Sequence, residues 1–231
     1  MIGLFIAFLL SWLILFIVFK EHISVLGIIP NANRLKILFS GLLVMALFSS
    51  INFLGQCYFK GNHLIRNPDF GFHEALFALR WTAVAAMMEE LIFRGAILYF
   101  LIKKIGPKWA CILSAIAFGI YHWFSYSMFG RGLFPMAYVF ILTGASGWMF
   151  AYSFVKSKSI LIPFGLHFGW ILMRIVFFSD GPLGESLFIE KGNNLELGPW
   201  QQLAVFLWQA GFMPLIIFFA IKKYYHAKER L

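Results

Sequence analysis

Charged residues are scarce in this chain: Asp, Glu, Lys and Arg make up 13% of the 231 residues, whereas hydrophobic residues make up 61%. An ordinary soluble domain has about 25% charged residues and about 45–50% apolar residues. The low charge excludes a typical soluble globular domain. The composition predicts an integral membrane protein.

Cysteine is also rare, since the sequence contains only Cys57 and Cys111. They are far apart in apolar segments, and no metal or redox spacing surrounds them, so we predict that they are packing residues. An internal repeat, a lipidation motif and the HExxH zinc motif are likewise absent from the sequence. We therefore predict one transmembrane domain over residues 1–231.

Long apolar runs fill most of the sequence. A helix needs about 20 apolar residues to cross the hydrocarbon layer, and about seven stretches meet this length. They are residues 2–19, 37–59, 75–102, 109–128, 133–155, 160–178 and 200–221. We predict an all-α fold, a polytopic membrane helix bundle with about seven transmembrane helices. The first stretch lacks a basic n-region and a cleavage site, so we expect it to remain as a span.

The basic residues predict the orientation, because cytoplasmic loops are enriched in Lys and Arg. With the N-terminus outside and the C-terminus cytoplasmic, twelve basic residues fall in cytoplasmic segments and four in outer loops. The twelve are Lys20, Arg34, Lys36, Lys103, Lys104, Lys108, Lys156, Lys158, Lys222, Lys223, Lys228 and Arg230. This distribution explains the net charge of +9. Because the cations are scattered and form no recognition motif, we expect no nucleic-acid partner.

Glu89, Glu90 and Arg94 lie within one of the apolar stretches. A carboxylate at the centre of a spanning helix costs about 2.5–3.5 kcal/mol, so such residues indicate function by default. Glu90 and Arg94 are four residues apart and share a helix face, where we expect an ion pair. Glu89 points about 100° away on a 3.6-residue helix and is predicted to be free to take up a proton.

Two histidines in other apolar stretches are candidate partners of Glu89. Glu89 lies about 14 residues and His122 about 13 residues from the cytoplasmic ends of their predicted spans, which places both about 20 Å deep. His167 lies between Gly165 and Gly169. This small-xxx-small pair allows close packing against a neighbouring helix, and it leaves His167 on the opposite face. We expect the three proton-transfer groups to converge.

Three motifs carry a resemblance to a known family: EELIFR at residues 89–94, FGIYH at 118–122 and GLHFGW at 165–170. Their order and spacing resemble those of the CPBP family, over about residues 80–174. That family comprises the type II CAAX prenyl endopeptidases and the bacteriocin-processing or immunity proteins. The resemblance implies a hydrolase that cleaves a peptide bond of a membrane-associated protein or peptide.

The resemblance also implies roles for individual residues. Glu89 and His122 would activate water, and His167 would stabilise the oxyanion. Glu90, Arg94 and Phe118 would support the site, with Phe118 as a packing wall. A Glu and two His are also an acceptable catalytic zinc set, so zinc bound by Glu89, His122 and His167 is an alternative to the metal-independent glutamate mechanism that we favour. Substrate identity and oligomeric state are open.

The third motif departs from the family pattern at Ile171, where the family has Asn or Asp four residues after the histidine. Losing one oxyanion donor typically slows an enzyme by about a hundredfold to a thousandfold. Tyr126, one turn from His122, is a candidate substitute donor. The alternative function is a weakened or inactive relative that binds a membrane partner or acts as an immunity protein.

A proton-coupled transporter that uses Glu89 and the histidines as a relay is a further hypothesis. The sequence lacks the paired broken helices that are typical of such transporters. Arg80 and Arg174 are expected to extend to the lipid headgroups. The loop 179–199 is predicted to be irregular because of its Gly and Pro content. We expect a multi-pass protein of the cell membrane.

Overall fold

The structure is a computed structural model that describes residues 2–184 and 186–228. The described chain is mostly helical, as predicted from the apolar runs. Both ends of the predicted domain 1–231, including the C-terminus and Arg230 of the predicted cytoplasmic set, lie outside the described residues, as does Glu185 of the predicted outer loop.

The described residues form eight α-helices and two short strands. They are α1 (Ile2–Ile14), α2 (Ala32–Phe59), β1 (Asn62–Arg66), α3 (Phe72–Arg94), α4 (Ala96–Ser125), α5 (Leu133–Ser157), α6 (Leu161–Leu172), β2 (Phe188–Gly192), α7 (Pro199–Leu207) and α8 (Met213–Lys228). Wider π-helical turns continue α1 over Leu15–Phe19, α6 over Met173–Phe177, and α7 over Trp208–Phe212 into α8. Such turns are frequent at functional sites.

Four helical segments of the described chain are long and apolar enough to cross a membrane: Ile2–Phe19, Ala32–Phe59, Leu133–Ser157 and Pro199–Ala227. Large apolar side chains such as Phe5, Leu43 and Phe219 are exposed on their surfaces. A contiguous apolar surface of this kind is typical of contact with lipid. The protein is therefore an integral membrane protein, while the count of about seven spans and the orientation of the termini stay predictions.

One predicted helix is wrong in its extent. The stretch 75–102 is predicted as one span, whereas α3 ends at Arg94 and α4 begins at Ala96. Gly95 between them has φ −81° and ψ −136°, which is not helical. A Cβ at Gly95 would overlap the Leu91 carbonyl and lie 2.8 Å from the Ser11 hydroxyl oxygen, so only glycine fits against α1 here. Glu89 thus lies near the end of α3, and its depth in the membrane stays a prediction.

The loop between α6 and α7 contains more regular structure than predicted. Within the expected irregular stretch 179–199, β2 pairs antiparallel with β1, and Asn62 lies opposite Gly192 while Arg66 lies opposite Phe188. The partner strand lies in the distant loop between α2 and α3, so local sequence did not indicate it. The small sheet joins these two loops at one end of the helices.

The predicted close packing of α6 is confirmed. A Cβ added to Gly165 would lie 2.5 Å from the carbonyl oxygen of Leu38, and one added to Gly169 would come still closer to that of Leu42. The two glycines thus let α6 press directly against the backbone of α2. His167, between them in sequence, faces the other way and stacks on Phe150 of α5, with ring centroids 5.0 Å apart.

We expect Gly169→Ala to destabilise the protein by about 1–3 kcal/mol, because the added methyl forces α2 and α6 apart. Gly55→Ala is the matched control, since a Cβ at Gly55 in α2 would meet no atom within 4 Å. The melting temperature in detergent should fall for Gly169→Ala only. Equal melting temperatures for the two variants would contradict the close packing of α2 and α6.

Candidate active site

Glu90 and Arg94 form a fully buried ion pair at the end of α3. Arg94 Nη1 lies 3.2 Å from Glu90 Oε1, and both side chains are 0% exposed. Arg94 Nη2 donates to the Gly147 carbonyl of α5 at 3.0 Å. The guanidinium carbon also lies 4.3 Å from the centroid of the Phe118 ring, a cation–π contact. The predicted pairing within α3 is confirmed, and Phe118 packs against it as expected.

The Glu90 carboxylate also forms a hydrogen bond with His167. His167 Nδ1 lies 2.9 Å from Glu90 Oε1. Since Glu90 faces the guanidinium of Arg94, it is a carboxylate and accepts the hydrogen bond, so Nδ1 carries the proton. His167 Nε2 then points towards Glu89, at 3.9 Å from Oε2. Glu90 therefore orients the histidine as well as pairing with Arg94.

Glu89 has one free oxygen. Its Oε1 accepts a hydrogen bond from the Tyr121 hydroxyl at 3.4 Å. Its Oε2 is buried, and no group of the described chain hydrogen-bonds to it. A buried carboxylate oxygen without a partner is unusual, because such atoms are generally satisfied. This oxygen is the one that faces His167.

His122 is held in a defined tautomer near the C-terminal end of α4. Its Nδ1 lies 2.8 Å from the carbonyl oxygen of Phe118, one turn earlier. A carbonyl only accepts, so Nδ1 donates. Nε2 is therefore left without a proton in the neutral ring. His122 can thus take up a proton at Nε2, which is what an assisting base needs.

A cavity of about 640 Å³ adjoins these residues. Its lining includes His122, His167, Tyr126, Ile171 and Phe118, while Glu89 is not among the lining residues. This volume is within the range of about 300–1,000 Å³ that is typical of ligand pockets. The structure thus places Glu89 against His167 and both histidines on the cavity wall.

Tyr126 and Ile171 both line the cavity beside the histidines. The Tyr126 ring stands edge-on to His122, with centroids 5.0 Å apart. Ile171 follows His167 by one turn of α6 and lines the same cavity. An apolar side chain therefore occupies the wall at the position where the resembling family has an amide or acid.

Sequence reasoning missed two polar features of the cavity. Arg174, expected at the headgroups, lines the cavity, and its Nη2 lies 2.7 Å from Asp180 Oδ2. Gln56 and Gln209 also line it, and both donate to the side-chain oxygen of Asn52, at 2.8 Å and 3.2 Å. These contacts join residues that are distant in sequence, and no local motif indicated them.

The zinc alternative requires three ligands at one point. Among the described residues no group of three or more His, Cys, Asp and Glu is arranged to hold a metal ion. One nitrogen of each histidine is bonded, His122 Nδ1 to a carbonyl and His167 Nδ1 to Glu90, which leaves Nε2 of each ring free. Zinc dependence stays a prediction, and no step below involves a metal.

Residues 71–173 match the sequence model of the Rce1-like type II CAAX prenyl endopeptidases. The matched segment contains all three motifs, and it includes α3, α4, α5 and α6. No curated protein and no solved structure matches the chain.

A resemblance to CAAX-type intramembrane proteases agrees with the apolar helices of the described chain. The matched segment supports the resemblance of the three motifs to the CPBP family.

Proposed function

We propose that the protein is an intramembrane endopeptidase in which Glu89 is the base that takes a proton from the attacking water. The observation that carries the proposal is the unpartnered Glu89 Oε2, 3.9 Å from His167 Nε2. A water oxygen about 2.8 Å from each atom fits between two such acceptors and can donate to both. The base, the histidine and the reacting water would then lie at the edge of the cavity.

The two histidines take different roles in this proposal. His122 assists through its free Nε2 and delivers a proton to the leaving amine. His167, fixed by Glu90, takes up at Nε2 the proton that Glu89 removes from the water, donates it in a hydrogen bond to the oxyanion as negative charge develops there, and then releases it for transfer to the amine. The water contributes its oxygen and one proton to the new carboxyl group, and its other proton reaches the amine through Glu89 or His122. Bond formation and cleavage therefore balance without a metal.

The proposed substrate is a membrane-associated protein or peptide. The cavity lies among helices whose outer surfaces are apolar, and its lining combines Phe118, Phe150 and Trp170 with a few polar groups. Such a lining accommodates apolar side chains, while the polar groups orient the peptide. We propose residence in the cell membrane, where such substrates reach the cavity from the bilayer.

A comparison of protein termini tests this function. Cells carrying Glu89→Ala or His122→Ala should lose the new termini that wild-type cells produce from a membrane-associated substrate. A chelator added to membranes should leave cleavage unchanged under the proposed mechanism, whereas loss of cleavage that zinc restores would favour the metal alternative. Processing of every identified substrate in both variants would reject the protease.

Tyr126 provides a test of the oxyanion donor. We expect Tyr126→Phe to slow cleavage by about a hundredfold, the lower end of the cost of losing one such donor. Tyr138→Phe is the matched control, because Tyr138 lines the same cavity but makes no ring contact with His122 among those of the described residues. Equal and small effects of the two variants on kcat would remove Tyr126 from the mechanism.

A second function is favoured by Ile171. Because an isoleucine lines the cavity one turn after His167, the chain can be a relative that binds a membrane peptide without cutting it, including as an immunity protein. Binding without cleavage requires the cavity but does not require Glu89 as a base. A partner phenotype that persists in Glu89→Gln cells would favour it over proteolysis.

A further inference from the structure

Arg174 lies in the π-helical turn that continues α6, on the same face as His167. Seven residues separate them, and at about 3.6 residues per turn and 1.5 Å per residue this puts Arg174 two turns further along, on the order of 10 Å away. Both line the cavity. Arg174 lies in the π-helical turn Met173–Phe177, a type of local widening that is frequent at functional sites.

Asp180, in the loop that follows this helical turn, forms an ion pair with the guanidinium of Arg174. Its Oδ2 contacts Arg174 Nη2 at 2.7 Å, and its backbone N–H donates to the Arg174 carbonyl at 2.8 Å. Asp180 and its neighbours Gly181 and Pro182 line the cavity. Among the described residues of the lining, Arg174 is the one cation and Asp180 the one acid. The loop therefore places a carboxylate against the one cation of the described lining.

An incoming carboxylate can reach Arg174 and replace Asp180 in the ion pair. The side chains are 28% and 40% exposed, in contrast to the fully buried Glu90 and Arg94. A partly exposed ion pair contributes little net free energy, so another carboxylate can replace Asp180 at small cost. A guanidinium can bind an incoming carboxylate through two parallel hydrogen bonds, which improves both affinity and geometry.

We propose that Arg174 is a carboxylate-binding subsite of the cavity, and that Asp180 occupies it until a carboxylate of the bound peptide takes its place. The carboxylate is either the C-terminus of the peptide or an acidic side chain. The inference rests on the proposed function, because it assumes that the cavity receives a peptide. It makes Arg174 a residue that selects substrates and positions them relative to His167.

Binding to the full chain in detergent tests the subsite. Glu89→Gln serves as the reference protein, so that no peptide is consumed. The probes are one fluorescently labelled apolar hexapeptide as the free acid, the same peptide as its C-terminal amide, and amides that end in Glu or Gln. The reference protein is compared with versions that also carry Arg174→Gln, Arg174→Lys, Asp180→Asn or the control Arg80→Gln. Each is checked for a monodisperse elution profile.

The reference protein should bind the acid about tenfold more tightly than the amide. Arg174→Gln should bring this ratio close to one, Arg174→Lys should retain part of it, and Arg80→Gln should leave it unchanged. Asp180→Asn should strengthen binding of the acid severalfold without affecting the amide. Preference for the Glu-ending over the Gln-ending amide would identify an acidic side chain as a ligand, and equal binding of the two would restrict the subsite to the C-terminus.

An acid-to-amide ratio that survives Arg174→Gln, or no gain from Asp180→Asn, would overturn the subsite. So would an absence of measurable binding by every peptide. The readout does not depend on cleavage. Arg174-dependent binding by a protein that cuts no substrate would therefore reject the protease and retain the subsite.

Discussion

Glu89→Gln is expected to reduce kcat for peptide cleavage by about 10²- to 10⁴-fold, the usual contribution of a general base. Glutamine has the shape of glutamate but cannot take up the proton. Glu89 Oε2 has no hydrogen-bond partner among the described residues, and Oε1 keeps its acceptor role towards Tyr121. The substitution therefore removes proton transfer with little loss of packing. The measurement is kcat and KM on a substrate identified from the comparison of termini.

The matched control is Glu74→Gln, at the exposed start of the same helix. Glu74 accepts a hydrogen bond from the Gly71 backbone, and it is far along α3 from the cavity. We expect it to leave kcat unchanged, and we expect Glu89→Gln to leave KM near that of the wild type. A Glu89→Gln enzyme as active as the Glu74→Gln enzyme would exclude Glu89 as the base.

The parts of the site that depend on local geometry could be predicted from the sequence. Glu90 and Arg94 are four residues apart, so helical spacing alone predicts their pairing, and the structure has it. The small pair Gly165 and Gly169 predicts close packing on one face and His167 on the other in the same way. Both predictions needed only the period of the helix.

The parts that depend on contacts between distant segments could not be predicted. Glu90 and His167 are 77 positions apart. Nothing in the sequence around either residue indicates that the Glu90 carboxylate orients the His167 ring. The strand pairing of β1 with β2 is of the same kind. Gly95, directly after the end of α3 at Arg94, lies close to Ser11 of α1, and a count of apolar residues does not detect this approach.

The position of Arg174 near the end of an apolar run predicts that its side chain extends to the lipid headgroups, as is usual for arginine there. Its actual partner, Asp180, lies in a loop whose path depends on the strand pairing beyond it. The roles of Glu89, His122 and His167 stay predictions, which the Glu89→Gln and His122→Ala variants test.

Arg94→Met should lower the free energy of unfolding by about 3–5 kcal/mol, because it leaves the buried carboxylate of Glu90 without its cation. Methionine preserves the length and the contact with Phe118 but removes the charge and the hydrogen bond to Gly147. The melting temperature in detergent measures the loss. Arg80→Met, on the exposed side of the same helix, is the matched control and should change little.

A second variant separates stability from catalysis. Glu90 Oε2 and Arg94 Nε have no hydrogen-bond partner in the described chain, so the pair is only partly satisfied. Replacing both residues, as in Glu90→Leu with Arg94→Met, should therefore recover part of the lost stability, since a buried pair can often be exchanged for apolar side chains. Activity should stay low, because His167 Nδ1 then loses the acceptor that holds its ring. If Arg94→Met is as stable as Arg80→Met, the pair does not hold α3 in place; if the double variant is fully active, Glu90 does not orient His167.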